Sequence, residues 1–251
     1  MKTNPYSFLI LFALTSFCFS SCTDADENPQ EQQNTNPLPD FGDADGVMAA
    51  IKAKSNLPAG TPSIPGMADV LVDVANANFY SSPSGGSLVN VGRVSLNEFE
   101  LQNVGGNAYL NNFSDITLEI TPGQTNTWTV DGANGFSGFT YTTTKPMPGV
   151  VRFQSNVPEE FDLGSGVELS IQQIPSGVDN LLWVISDGNH VITKEGRSTS
   201  ITYSESELNE LSASNNALVQ VAAYTSESQR FGGKKIYFIN ETVDSKFVTL
   251  K

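Results

Sequence analysis

His190 is the only histidine in the chain, and it directly follows Asp187-Gly188-Asn189. An imidazole titrates near neutrality and could serve as a general base. A base needs a nucleophile, yet no Gly-x-Ser-x-Gly elbow occurs, and the two cysteines, Cys18 and Cys22, both lie near the amino terminus. His190 therefore reads as an exposed residue flanking a turn. A metal site built from His and Cys is excluded by the same count. Calcium is the carboxylate alternative. Asp43-Ala44-Asp45-Gly46 has paired acids before a sharp-turn glycine, but Phe41 would stand at the first ligand position and Lys52 at the closing one. Asp131-Gly132-Ala133-Asn134-Gly135 is acid plus glycine in the way any turn is.

Two carboxylates about 5 or 9 Å apart would serve a glycosidase. The nearest pairs are Glu98/Glu100 and Glu159/Glu160. On a strand, Glu98 and Glu100 share an outer face beside Phe99, the ordinary solvent pattern. The sequence thus assigns no catalytic residue, no metal and no cofactor. Aromatic rings offer a route to binding, since planar rings stack on pyranose faces. Trp128 shares parity with Val130, and Trp183 sits in an apolar run, so both belong to a core. Phe79-Tyr80, Tyr109, Phe136 and Phe139 lie near loops, and Tyr80 and Phe136 are the candidates for a ligand platform facing a glycan or a protein. Arg230, Lys234 and Lys235 flank Gly232-Gly233 as a solvated hairpin end.

The amino terminus sets the compartment. Lys2, an apolar run from Phe8 to Phe19 and then Ser20-Ser21-Cys22 have the charge, core length and small residues of a secretory leader, residues 1–21. The run is shorter than the roughly 20 residues a spanning helix needs. Ser20-Ser21-Cys22 resembles the lipobox of bacterial lipoproteins. That resemblance implies a diacylglycerol thioether on Cys22, an acylated amino group, and stable membrane anchoring through more than one chain. Thr23-Asp24-Ala25-Asp26-Glu27 is similar to the acidic export tag of surface lipoproteins of the Bacteroidota, which implies outward display from the outer membrane.

From Cys22 to Asp45 there is no Lys or Arg and no aliphatic run, while Asp24, Asp26, Glu27, Glu31, Asp40, Asp43 and Asp45 repel one another. Such a segment cannot bury enough apolar surface to order itself, and reads as a disordered acidic stalk. The whole chain carries 13 basic and 27 acidic residues, a net charge of −14. That balance disfavours nucleic acid and anionic lipid headgroups as partners. With both cysteines at the amino terminus the body has no disulfide, so its fold must rest on an apolar core.

The elements that would carry these residues are strands. Alternation of period two recurs at Val70/Val72/Val74, Ile116/Leu118/Ile120, Val167/Leu169/Ile171 and Val219/Val221/Ala223. Leu181–Ile185 is apolar on both faces, as in a central strand. Asp187-Gly188 predicts a type I′ hairpin before Val191-Ile192, and the parity flip around Asn97-Glu98 predicts a tight reversal. Asn134-Gly135 and Gly232-Gly233 mark further turns. One helix is expected, over Glu205–Ala213, from the capping box Ser204-x-x-Glu207 and from Leu208 and Leu211. Pro146 and Pro148 suggest a boundary, giving two all-β domains, 46–144 and 145–251, after the stalk, with a single larger sandwich as the alternative. The second resembles immunoglobulin-like sandwich modules, with Trp183 in the place of the core Trp. The chain as a whole is similar to uncharacterised Bacteroidota lipoproteins with a lipobox, stalk and β-rich body. The expected function is a lipid-anchored, non-catalytic binding or interaction module. The alternatives are a carbohydrate-capture lipoprotein delivering glycans to a transporter and, behind it, a hydrolase using acidic residues.

Overall fold

The computed structural model describes residues 41–54, 71–83, 86–112 and 117–251; the leader, Cys22 and the stalk up to Asp40 lie outside them. The regular secondary structure of the described residues is nearly all strand, as the alternation predicts. Strands are numbered in chain order. The large sheet holds β1 (Gly46–Lys54), β2 (Leu71–Phe79), β5 (Gln102–Val104), β6 (Ala108–Leu110), β9 (Glu160–Phe161), β11 (Asn180–Ser186), β12 (Val191–Glu195), β14 (Ser214–Phe231) and β15 (Lys234–Leu250). Its order is β12-β11-β14-β15-β1-β2-β6-β5, with β9 against the end of β15. A four-stranded sheet runs β4 (Phe99–Glu100), β3 (Val94–Leu96), β7 (Thr127–Val130) and β8 (Phe139–Thr142), and β10 (Val167–Ser170) pairs with β13 (Ser200–Tyr203).

The spine is the long β14–β15 hairpin. Gly232 and Gly233 turn it at φ of 56° and 85°, where a side chain is disfavoured. Side chains alternate between faces along each strand. On the front face, Trp183, Ile185, Val219 and Val221 pack with Leu169, Ile171 and Tyr203 in one cluster. Also on the front, Met48, Ala75, Phe79, Ile236 and Phe238 pack beneath Val94, Leu96, Trp128 and Val130 of the four-stranded sheet. Val47, Ala49, Ile51, Ala222, Tyr224, Ile239 and Val243 form the back face.

The expected boundary between 144 and 145 follows β8 but does not divide the large sheet. β15 bonds to β14 on one side and, in parallel, to β1 on the other, so strands from both halves share one ladder. A polar seam marks the front face between the two clusters. Asn126 Nδ2 donates to Asn240 Oδ1 at 2.8 Å, and Asn240 Nδ2 donates to Lys145 O at 2.9 Å. Further along β15, Thr242 Oγ1 accepts from Val151 N, and Asp244 Oδ2 accepts from Phe153 N at 2.8 Å. The segment entering the second half is thus stitched across the sheet rather than hinged away from it.

Several local expectations need revision. The helix α1 covers only Glu205–Leu208. Ser204 N donates to Glu207 Oε2 as the capping box requires, but past Leu208 the bonds tighten to i→i−3, Glu210 N to Glu207 O and Leu211 N to Leu208 O, and Ser212 N goes to Asp187 Oδ2 at 2.7 Å. Leu208 and Leu211 are nevertheless both buried. In the β11–β12 hairpin the central pair is Gly188-Asn189, since Asp187 N donates to His190 O, and of that pair only Gly188 has positive φ, at 99°. A type I′ turn is therefore excluded there. At Asn97-Glu98 the expected reversal is present, with φ of 48° and 69°. Asn97 Oδ1 takes Thr127 N at 2.9 Å, which holds the turn. Leu118 and Ile120 are buried but join no ladder. The stalk was expected to run to Asp45, yet chain from Phe41 onward is docked: Phe41, Ala44 and Asp45 are all buried.

Candidate functional site

His190 lies where the sequence put it, exposed beside the turn, with Nδ1 3.1 Å from Asp187 Oδ2. Asp187 is the more constrained partner, its side chain 1% exposed. Its carboxylate also accepts from the backbone N–H groups of Asn189 at 2.7 Å, His190 at 2.6 Å and Ser212 at 2.7 Å. Burial alone would push this carboxyl up, but those backbone donors and the imidazole outweigh it and hold it at about 2. A carboxylate so saturated is a structural clamp joining the β11–β12 hairpin to the chain after α1. It orients His190 toward no described hydroxyl or thiol.

The acidic candidates separate in the same way. Asp43 bonds Lys235 Nζ at 2.7 Å and the Tyr237 hydroxyl at 2.8 Å. Asp45 bonds Lys234 Nζ at 2.9 Å and Lys235 N at 2.8 Å. These acids are used to fasten residues 41–45 to the tip of the long hairpin. The basic trio expected as a solvated end accordingly supplies two of their partners. Glu98, Glu100 and Glu159 are exposed, and Glu160 pairs with Lys251 at 2.6 Å. Among the described residues no three His, Cys, Asp or Glu side chains gather as a metal would require. Among them, too, no helix is long and apolar enough to cross a membrane.

The expected ligand platform of Tyr80 and Phe136 is not formed. Phe136 is buried in the front cluster, edge-on to Phe79 at 5.4 Å with Lys234 Nζ 5.2 Å from its ring centre. Tyr80 follows Phe79 directly and so faces the other way, into the back-face cluster with Phe41. Alternation along one strand places the two rings on opposite sides of the sheet.

What Tyr80 does share a face with is Asn76 and Asn78, at the preceding same-parity positions of β2. The three are 4%, 6% and 9% exposed in that order from Asn76 to Asn78 to Tyr80. Neither Asn76 Oδ1 nor Asn78 Oδ1 has a hydrogen-bond partner. Other buried asparagines are satisfied: Asn111 Oδ1 accepts from Ala75 N at 2.8 Å while its Nδ2 donates to Asp73 O at 3.1 Å. Buried polar groups are nearly always bonded, so two orphaned oxygens two residues apart form the least explained polar feature of the described fold. The sequence reading overlooked them. The signal was the switch along one parity of β2, from Val72 and Val74 to Asn76 and Asn78.

Comparison with protein-family models and with curated proteins gave no match for this chain.

Proposed function

We propose that this chain is a lipid-anchored protein of the cell envelope, held at the outer membrane through Cys22 and facing outward, whose body is a non-catalytic binding and interaction module. The observation that carries the reading is the run Lys2, Phe8–Phe19, Ser20-Ser21-Cys22 followed by Asp24, Asp26 and Glu27. It joins an export leader, an acylation site and an acidic tag in the order that anchoring needs. Residues 23–40 can reach roughly 60 Å when extended at about 3.3 Å each, ample to lift a β body off a bilayer. The docking of Phe41 to Asp45 gives that tether a fixed point of attachment and supports the arrangement. The second half is read as an immunoglobulin-like module around Trp183, an architecture that serves binding in many contexts without specifying one.

The test is labelling of cells with radioactive palmitate. Label should enter the protein and be lost in Cys22→Ala, and protease added to intact cells should release the body. Label retained by Cys22→Ala would overturn the anchor, and full protection from protease would overturn outward display.

A further inference from the structure

Asn134-Gly135 is the only Asn-Gly step in the chain. It lies in the loop between β7 and β8, with both residues exposed, at the centre of a tight turn closed by Phe136 N donating to Ala133 O at 3.0 Å. Their φ values are 51° and 86°, a region that Asn and Gly enter more readily than other residues. One bond holds the Asn134 carboxamide, Nδ2 donating to Asn90 O at 2.7 Å. Among the described residues Gly135 N has no hydrogen-bond partner, and a Cβ built on Gly135 would meet nothing within 4 Å. The nitrogen that follows the carboxamide is thus both uncommitted and unhindered.

We propose that Asn134 is a site of spontaneous deamidation in the folded protein, with Gly135 N as the attacking atom and water as the only co-reactant. Gly135 N bonds to Asn134 Cγ, the Cγ–Nδ2 bond breaks, and the proton given up by Gly135 N leaves with the amide as ammonia. A five-membered succinimide remains. Water adds to one of its two carbonyls and reopens the ring. The product is an aspartate or, where the backbone now runs through the side-chain carbon, an isoaspartate. Ring closure requires the turn to open first. Only the Phe136 N–H and Asn134 carboxamide bonds hold it, both at the surface, so the opening falls at the low end of local unfolding.

Three Asp-Gly steps could close the same ring with loss of water, and the fold withholds each of them. Asp45 is buried and bonded to Lys234 Nζ and Lys235 N. Gly132 N donates to Val91 O at 2.9 Å. Gly188 N donates to Ser186 Oγ at 3.1 Å, while Asp187 is kept ionised, a poor electrophile, by its backbone donors. Conversion at position 134 has a structural consequence. A carboxylate there cannot donate to Asn90 O, so the loop loses its tie to the segment whose Asn90 Oδ1 accepts from Gly92 N and the Tyr109 hydroxyl. The product carries one more negative charge and a looser β7–β8 loop.

The test is incubation of the full chain, folded and in a parallel urea-unfolded arm, at mildly alkaline pH and body temperature. Samples taken over time are read by peptide mapping with mass spectrometry and by isoelectric focusing. In the folded arm the peptide holding Asn134 should be the first to gain the mass of an NH2-to-OH exchange, as aspartate and isoaspartate together. An acidic band should grow in step, and the converted fraction should be cleaved faster in the β7–β8 loop. Asn134→Gln, which keeps the amide but lengthens the ring to be closed, should abolish that band; the mapping of the parent chain stands by itself if this variant does not fold. Three results would overturn the proposal: Asn134 intact in the folded arm after the unfolded arm has converted, another Asn or Asp converting first, or the acidic band undiminished in folded Asn134→Gln.

Discussion

Truncating Trp183 tests the packing of the second half and its coupling to the first. Trp183 is fully buried in β11, paired with Lys194 of β12 and Val221 of β14, with the Phe153 ring 6.3 Å away. Its carbonyl accepts the Tyr203 hydroxyl at 2.8 Å, a bond that truncation of the side chain leaves in place. Its Nε1 has no partner, so Trp183→Ala loses transfer free energy and leaves a cavity without breaking a side-chain hydrogen bond. Such truncations cost about 3–5 kcal/mol, a large share of the 5–15 kcal/mol of an ordinary domain. At roughly 2–4 °C per kcal/mol for a chain this size, the melting point should fall by about 6–20 °C. The assay is denaturant unfolding followed in parallel by far-UV circular dichroism and tryptophan fluorescence. The chain has two tryptophans, so in the variant Trp128, buried in the other front cluster, reports alone. Because β15 bonds to both β14 and β1, the two signals should move together. A variant melting with the parent would place Trp183 outside the core. A Trp128 transition that stays put while the dichroism shifts would mean that the shared sheet does not couple the halves.

Other outcomes follow from single residues. Trp183→Phe should cost far less than Trp183→Ala, since it keeps most of the volume and removes an unbonded N–H; equal melting of the two variants would refute that. The Asp187 carboxyl is held at about 2, below its unfolded value. Its contribution is therefore complete above pH 4 and lost as pH falls from about 4 to about 2, on the order of 2 kcal/mol. Asp187→Asn should flatten that limb of an acid titration. Glu241, half-buried between Ile51 and Tyr224, has its carboxyl pushed up to about 7 by burial. The folded state then binds more protons between about pH 4.5 and pH 7, so stability declines across that window as pH rises. Glu241→Gln should raise the melting temperature at pH 8 and leave it unchanged at pH 4. Asp45→Ala strips a partner from the Lys235 N–H and from Lys234, at a cost of about 1–3 kcal/mol. Proteolysis near Phe41 should be faster in that variant, and an unchanged cleavage rate would mean that these two bonds do not hold the 41–45 segment down.

The candidate site was only partly legible before the fold was known. Tyr80 was singled out for its aromatic ring, but alternation along β2 turned it away from Phe136 and toward Asn76 and Asn78. Asparagine in a chain carries little signal by itself, being common in turns and loops. It becomes informative when the strand and its parity are fixed and the partners of its oxygen can be counted. Asp43 and Asp45 misled for a similar reason: a run of acids reads as a solvated stalk until the basic tip of a hairpin some 190 residues away is brought beside it. The separations along the chain, 189 and 192 residues, put these pairs out of reach of local reasoning.

Patterns of short range were written in the residues themselves. Alternation of period two made the body all-β, Leu181–Ile185 marked a strand buried on both faces, and Gly232-Gly233 and Asn97-Glu98 announced their turns, because each depends on neighbours a few residues apart. Which strands lie side by side is a long-range choice. β1 sits parallel to β15, and the Pro-rich segment after β8 crosses the sheet through Asn240, Thr242 and Asp244 instead of leading away from it. Local alternation says which side chains point inward and is blind to which strand comes next, since every pleated edge offers the same backbone donors and acceptors. Only the tertiary structure could decide that one long hairpin serves both halves, and that Asn76 and Asn78 of β2 stand together on the back face of the large sheet with their side-chain oxygens unbonded.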